Sequence, residues 1–535
     1  MKKSTIISVL AAVTFAAAAN AQDLNPTVEI TNTYEGAVST VAKPVQTVSV
    51  PDSVMRFSYD FDYAVSPSPY KGAYEFTPYI VSLRPLPKPS SENSFYLRAG
   101  AGYALSPEAD LIWTPLRGEN CRLNITGAHD SFIGNYHGIS LDSGLLTSDG
   151  TSWSGFDGTS RIGADFTYAF GPVTATFDAA YRNSFVKDNL IGRNVNGASA
   201  GVKLSSTGRT RVDFDAELGY RFNAFAGEAT DHRVDYGGSI GMDWKGVHKV
   251  LAKLGGAVTG LALPDGTSYL LGNVSVAPHY VLDLSGWHLD LGVKLSVLFN
   301  SKNLNPHPGV VFPDASAEFR ILDDVLVFQA SATGGDNVYG FSDMFARNHF
   351  VSSVVAPVNS IERIRASVGV RGNIADRFQY NLKAGYARES DALTDGILAD
   401  MVSTTFVTPD YNLFFADLKA AWQSTHVDAT AHVVWNYTDM SYGIPPAALK
   451  AELLGAWHWG SRLRAGAWGD ISSARVAADL TLPGYVDLGI FGEAGITSSL
   501  SAWLKLGNLL CQTIQATPLH ARRGLVATAG ICLNF

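Results

Sequence analysis

Four basic residues, Arg363, Arg365, Arg371 and Lys383, lie on the polar faces of two neighbouring segments that alternate apolar and polar side chains. A row of cations along one wall attracts anions, so such a strip could contact an anionic solute. Opposite in sign are Asp213, Asp215, Glu217, Asp235 and Asp243 on an earlier pair of segments. The simpler reading has these charges pairing across neighbouring strands. His288, His432 and His458 occupy the polar faces of three separate segments, and no His-x-His or Glu-x-x-His spacing marks a metal site. No local arrangement joins a Ser to a His and a third orienting group, as nucleophilic hydrolysis requires. The expectation is a protein that is not an enzyme and uses no cofactor or metal.

The segments that position these residues are strands. Trp287, Leu289, Leu291, Val293, Leu295 and Val297 share one face, and His288, Asp290, Gly292, Lys294 and Ser296 share the other. Arg211 to Phe222 and Arg377 to Arg388 repeat the pattern. A soluble sandwich also alternates, but its apolar faces meet in a core and its turns are short at both ends. Here Ala and Gly are mixed with large residues on the apolar faces, and Lys and Arg are nearly absent from them. Aromatics such as Trp113, Tyr168, Trp244, Trp435, Trp457 and Trp459 gather near segment ends, where they would anchor at a membrane interface. Segments of this length suit tilted strands crossing a hydrocarbon layer, which needs about 9–11 residues per strand. The fold class is therefore all-β, a transmembrane antiparallel barrel.

Connections give an independent check. About 22 strand-sized segments run from Ser94 to Phe535, joined by alternately short and long links. Tight joints include Gly171-Pro172, Ser285-Gly286 and Ala375-Asp376, whose Gly and Asp suit turns. Long ones fall near 132–159, 335–359, 389–410, 474–483 and 509–522. Short turns on one side and loops on the other are what an outer-membrane barrel shows, with both termini in the periplasm.

Composition agrees with that placement. Only 17% of residues are charged, and the net charge of −9 argues against nucleic acid as a partner. Three cysteines show no disulfide or zinc spacing. Residues 1–21 read as a secretory signal peptide: Lys2-Lys3, an apolar run, then Ala19-Asn20-Ala21. Residues 22–93 hold nine Pro, including Pro85, Pro87 and Pro89, and read as a periplasmic or lumen-entering extension with a linker. Within it Phe57, Tyr59, Phe61 and Tyr63 share one face of a strand-like stretch, suited to docking a partner by strand addition. Residues 94–535 form the barrel.

The chain ends on a strand that places Leu525, Ile531, Leu533 and terminal Phe535 on one face. Together with Leu506-Gly507-Asn508-Leu509, this end resembles that of a TonB-dependent receptor barrel. The resemblance covers residues 94–535 and implies a 22-strand barrel in the outer membrane of a Gram-negative bacterium. It also implies a closing strand read by the barrel-assembly machinery, a lipid surround, and a role in solute transport. A TonB contact would fall on Val45-Gln46-Thr47-Val48-Ser49-Val50. The 72 or so residues before the first strand are too few for the family's plug domain. Something else should then fill so wide a barrel: residues 22–93, the long loops folding inward, or another protein. The rival expectation is a plugless barrel serving as scaffold or subunit of an outer-membrane complex, with a periplasmic or lipoprotein partner.

Overall fold

Alternation decides where each side chain points, and the strand Trp287–Asn300 shows the outcome. Trp287, Leu291, Val293, Leu295 and Val297 are exposed, whereas Asp290 and Ser296 are buried. In water that arrangement is inside out, since a soluble chain rarely exposes a broad apolar surface. With lipid outside and a polar lumen inside, each face meets the medium it suits.

The computed structural model describes residues 94–535 apart from 104, 190, 207–211, 245, 302–308, 323, 401–402, 461, 478–479 and 523. The signal sequence, the extension 22–93 and its Phe57, Tyr59, Phe61 and Tyr63 lie outside the described residues. A closed antiparallel barrel of 22 strands occupies the remainder. Each barrel strand pairs with the next, and Val526–Asn534 pairs with Phe95–Tyr103 to shut the ring. Phe535 completes the seam: its N–H donates to Phe95 O at 3.0 Å, and its ring stacks on Phe95 at 4.8 Å. Closure matters because an open sheet edge has no water to bond in hydrocarbon.

Turn chemistry matches the short end. Gly171, Gly286 and Gly460 have positive φ, and so do Asp324, Ala375 and Asp376. Ala375 and Asp376 are the central residues of a turn closed by Arg377 N–H donating to Ile374 O at 3.1 Å, both with φ near 54°, the primed geometry that matches strand twist. Trp113, Tyr168, Trp244, Trp435, Trp457 and Trp459 are all exposed. Among the described residues no helix is long and apolar enough to cross a membrane.

The other end departs from the expectation of irregular loops. Residues 132–159 belong to two long strands, Cys121–Asp142 and Leu145–Phe170, whose ladder continues beyond the barrel. Their Ser, Thr and Gly content hid this from a pattern built on apolar alternation. A seven-residue helix, Phe341–Arg347, sits in the 335–359 link. Hairpins occupy three other links: Thr394–Ile397 with Thr404–Val407, Arg475–Ala477 with Leu480–Leu482, and Ile514–Thr517 with His520–Arg522.

An outward charge tests the lipid face. Val293→Arg should lower unfolding free energy in lipid vesicles by roughly 2–4 kcal/mol, whereas inward Lys294→Leu should cost much less. Equal losses in a denaturant titration would contradict the assignment of faces.

Candidate functional site

The inner faces of several strands turn apolar as they reach the end with long connections. Phe132, Tyr136, Val186, Val195, Phe225, Ala229 and Leu261 are buried there in one cluster. Its other members come from the far side of the ring: Phe341, Met344, Phe345, Phe350 and Val351 in one link, and Leu393 and Phe406 in the next. A link that leaves the wall after Leu326–Tyr339 thus crosses the mouth and packs against Cys121–Asp142 and its neighbours.

The sequence supports this locally. Phe341, Met344 and Phe345 have helical i, i+3, i+4 spacing. Gly340 N–H donates to Asp343 Oδ2 at 2.9 Å, an acid in the first turn where the helix dipole favours it. A Cβ at Gly340 would lie 2.5 Å from Thr259 Oγ1, so the chain can pass this close only as glycine. Seven residues are too few for a helix to persist alone in water. Burying its three large apolar side chains is worth about 1.5–3 kcal/mol each. Ordering its backbone costs about 1–2 kcal/mol per residue. Ordering outweighs burial, so polar contacts must supply the difference.

Those contacts are specific. Asp343 bridges Arg221 at 3.2 Å and Arg233 at 2.8 Å. Burial pushes the Asp343 carboxyl up, but Arg233 and Arg221 outweigh burial and hold it below the usual carboxylate range. Ser342 N–H donates to Asp231 at 2.6 Å, and Arg193 donates to Val351 O at 2.9 Å. His349 pairs with Asp157 at 2.6 Å. Thr404 Oγ1 donates to Phe350 O at 2.7 Å, tying in the neighbouring hairpin. The Phe350 ring stacks on His520 at 3.9 Å, and His520 bonds Asp188 at 2.7 Å. A second cluster, Leu146, Ile444, Leu482 and Leu519, joins further links. Gln515 donates to Leu146 O at 2.9 Å and Arg475 to Gln515 O at 2.8 Å. Links from all round the ring therefore meet as a cap over this end of the lumen.

The residues singled out in the sequence sit elsewhere. Arg365 bridges Glu362 at 2.6 Å and Glu389 at 3.4 Å, and Arg371 bridges Glu318 at 2.7 Å. Arg363 falls in a bulge and donates to Ser390 at 2.8 Å. Lys383 is directly opposite Asp417. Acidic residues of the wall thus meet this basic strip. Asp213 likewise bridges Lys249 at 2.7 Å. His288, His432 and His458 each bond a separate aspartate and do not converge. Leu525 precedes the last strand, Ile531 is exposed on its outer face, and Leu533 and Phe535 lie in the seam. Sequence reading missed the cap residues Phe341, Asp343, Phe350 and His520. The available signal was the short run Gly340-Phe341-Ser342-Asp343-Met344-Phe345, a helix start inside a presumed loop.

Breaking the bridge at Asp343 should loosen the cap. Removing one partner of a largely buried pair costs about 3–5 kcal/mol, so Asp343→Asn should sharply raise hydrogen exchange across 341–351 while the barrel strands stay protected. A carboxyl held low in the folded state stabilises at pH above its ordinary value of about 4 and stops doing so as pH falls through the lowered value. Protection in the wild type should survive to about pH 4 and fall below it. Protection unchanged by the substitution would contradict the latch.

No family model and no curated protein sequence matches the chain. Solved structures do. A ferric enterobactin receptor from Pseudomonas aeruginosa superposes with TM-score 0.61 at 9% identity, covering 83% of this chain and 80% of that one. The FrpB iron transporter from Neisseria meningitidis gives 0.61 at 10% identity, with 83% and 82% covered. The copper transporter OprC gives 0.61 at 12%, with 84% and 81% covered. At such identities the likeness is one of fold: the described residues adopt the 22-strand barrel architecture of TonB-dependent receptors.

Proposed function

We propose that the chain is a receptor-type transport barrel of the Gram-negative outer membrane whose outer mouth is shut by its own loops until a solute arrives. The carrying observation is the cap, in which Phe350 and His520 stack at 3.9 Å over the lumen of a barrel otherwise built like known metal-transport receptors. A constitutive pore has no use for such a closure. In this reading the short turns and both termini face the periplasm and the cap faces outward. Residues 22–93 then form a periplasmic or lumen-entering extension that meets TonB or another periplasmic partner. The seam formed by the last strand and Phe535 serves as the assembly signal. The protein carries out no catalysis of its own.

Conductance in planar bilayers tests the gate. The full chain should be silent or flicker rarely. Replacing residues 341–351 with a Gly-Ser linker, combined with deletion of 22–93 to empty the lumen, should give steady large openings. A wild-type barrel that conducts freely contradicts the gate. A doubly altered barrel that stays silent, while the full chain copurifies with constant companions, replaces transport with the scaffold role.

A further inference from the structure

The inner wall beneath the cap carries five arginines on consecutive strands: Arg161, Arg182, Arg193, Arg221 and Arg233. Three are tied into structure. Arg193 bridges Glu228 at 2.8 Å, and Arg221 and Arg233 both bridge Asp235 and Asp343. Arg161 and Arg182 differ. They are directly opposite each other in the ladder between Leu145–Phe170 and Val173–Lys187, both on the inner face and both half-buried. Among the described residues, neither has a carboxylate within ion-pair distance. Arg182 Nε donates to Ser184 Oγ at 3.0 Å, and Ser184 in turn meets Thr159 at 3.1 Å.

Like charges directly opposite on a sheet repel. Carboxylates do act on the pair from further off: Asp178 on Arg161 and Asp157 on Arg182. Asp157 is already engaged by His349 of the cap at 2.6 Å, so its charge is shared. The other neighbour of Arg182 in register is Gly197, which offers no side chain, and Asn223 Oδ1 leans over that glycine. Two guanidinium forks therefore face a wet lumen side by side, with hydroxyls beside them and open backbone next to them. An oxyanion with two or more oxygens fits such a pair, because each fork can donate two parallel hydrogen bonds.

We propose that Arg161 and Arg182 form a lumenal site for a carboxylate or phosphate oxyanion immediately beneath the cap. The anion can come from a solute or from carboxylates of the chain's own extension, such as Asp60 and Asp62. Identifying it with a transported solute rests on the transport reading above, but binding is measured without transport, so the two can fail separately.

Calorimetric titration of the detergent-solubilised full chain with inorganic phosphate and with citrate at low salt tests the site. Saturable binding should weaken at least roughly tenfold in R161Q/R182Q, partly recover in R161K/R182K, and stay unchanged in R462Q, which lies in a short turn. If the full chain binds neither probe but D60N/D62N unmasks binding, the site stands and its occupant is internal. Absence of binding in both overturns it. So does unchanged affinity in R161Q/R182Q with the heat-modifiable migration of a folded barrel intact. Because the pair is repulsive when empty, R182Q alone should raise the unfolding midpoint in anion-free buffer. A lowered midpoint would make the pair structural and overturn the site.

Discussion

The structure depends on pairing the first strand with the last. In hydrocarbon an unpaired backbone edge loses its hydrogen bonds with nothing to replace them, so a sheet either closes or fails to insert. Phe95–Tyr103 and Val526–Asn534 meet over eight register pairs, and Phe535 locks the end of that seam. Once the ring is closed, alternation fixes every side chain as lipid-facing or lumen-facing. The apolar band, the exposed aromatics near strand ends and the charged inner wall then follow from residue order alone.

Closure creates a second problem, which the cap addresses. A ring of this size encloses a channel, and one end of it is crossed by chain. The helix Phe341–Arg347 is too short to hold itself, and its apolar contacts fall short of its ordering cost. What remains is an ionic latch of Asp343 with Arg221 and Arg233, the Phe350–His520 stack, and hydrogen bonds such as those of Ser342 to Asp231 and Arg193 to Val351. A closure held by a few polar contacts can open without unfolding the wall. That property suits a gate better than a permanent plug.

Much of this was legible in the sequence, and the failures have identifiable causes. Strand order, faces and turns followed from period-two alternation and from Gly or Asp at the joints, as at Gly286 and Asp376. Phe132, Val186, Phe225 and Leu261 fell in or at the edge of segments read as links, so they gave no signal of an inward apolar face. Their burial follows only from the long-range contact with Phe341 and Phe345. The basic strip at Arg365 and Arg371 stood out because like charges recur on the polar faces of two consecutive segments. Its acidic partners Glu389 and Glu318 lie on other strands, one and two places along the sheet, and could not be matched without register. Arg161 and Arg182 escaped notice for the converse reason, since a cross-strand pairing is invisible until the ladder is known.

Several links converge to shut one end, and a distance measured across them tests this directly. Cys511 is a free, exposed thiol in one of those links and accepts a spin label without mutation. With Cys121 replaced by Ser and a second label introduced by Ser352→Cys, pulsed electron paramagnetic resonance on the full chain in lipid nanodiscs reports the span between them. A closed cap predicts one narrow distance distribution. A broad distribution reaching the width of the barrel would show that the links do not meet, and the gate would fall with them.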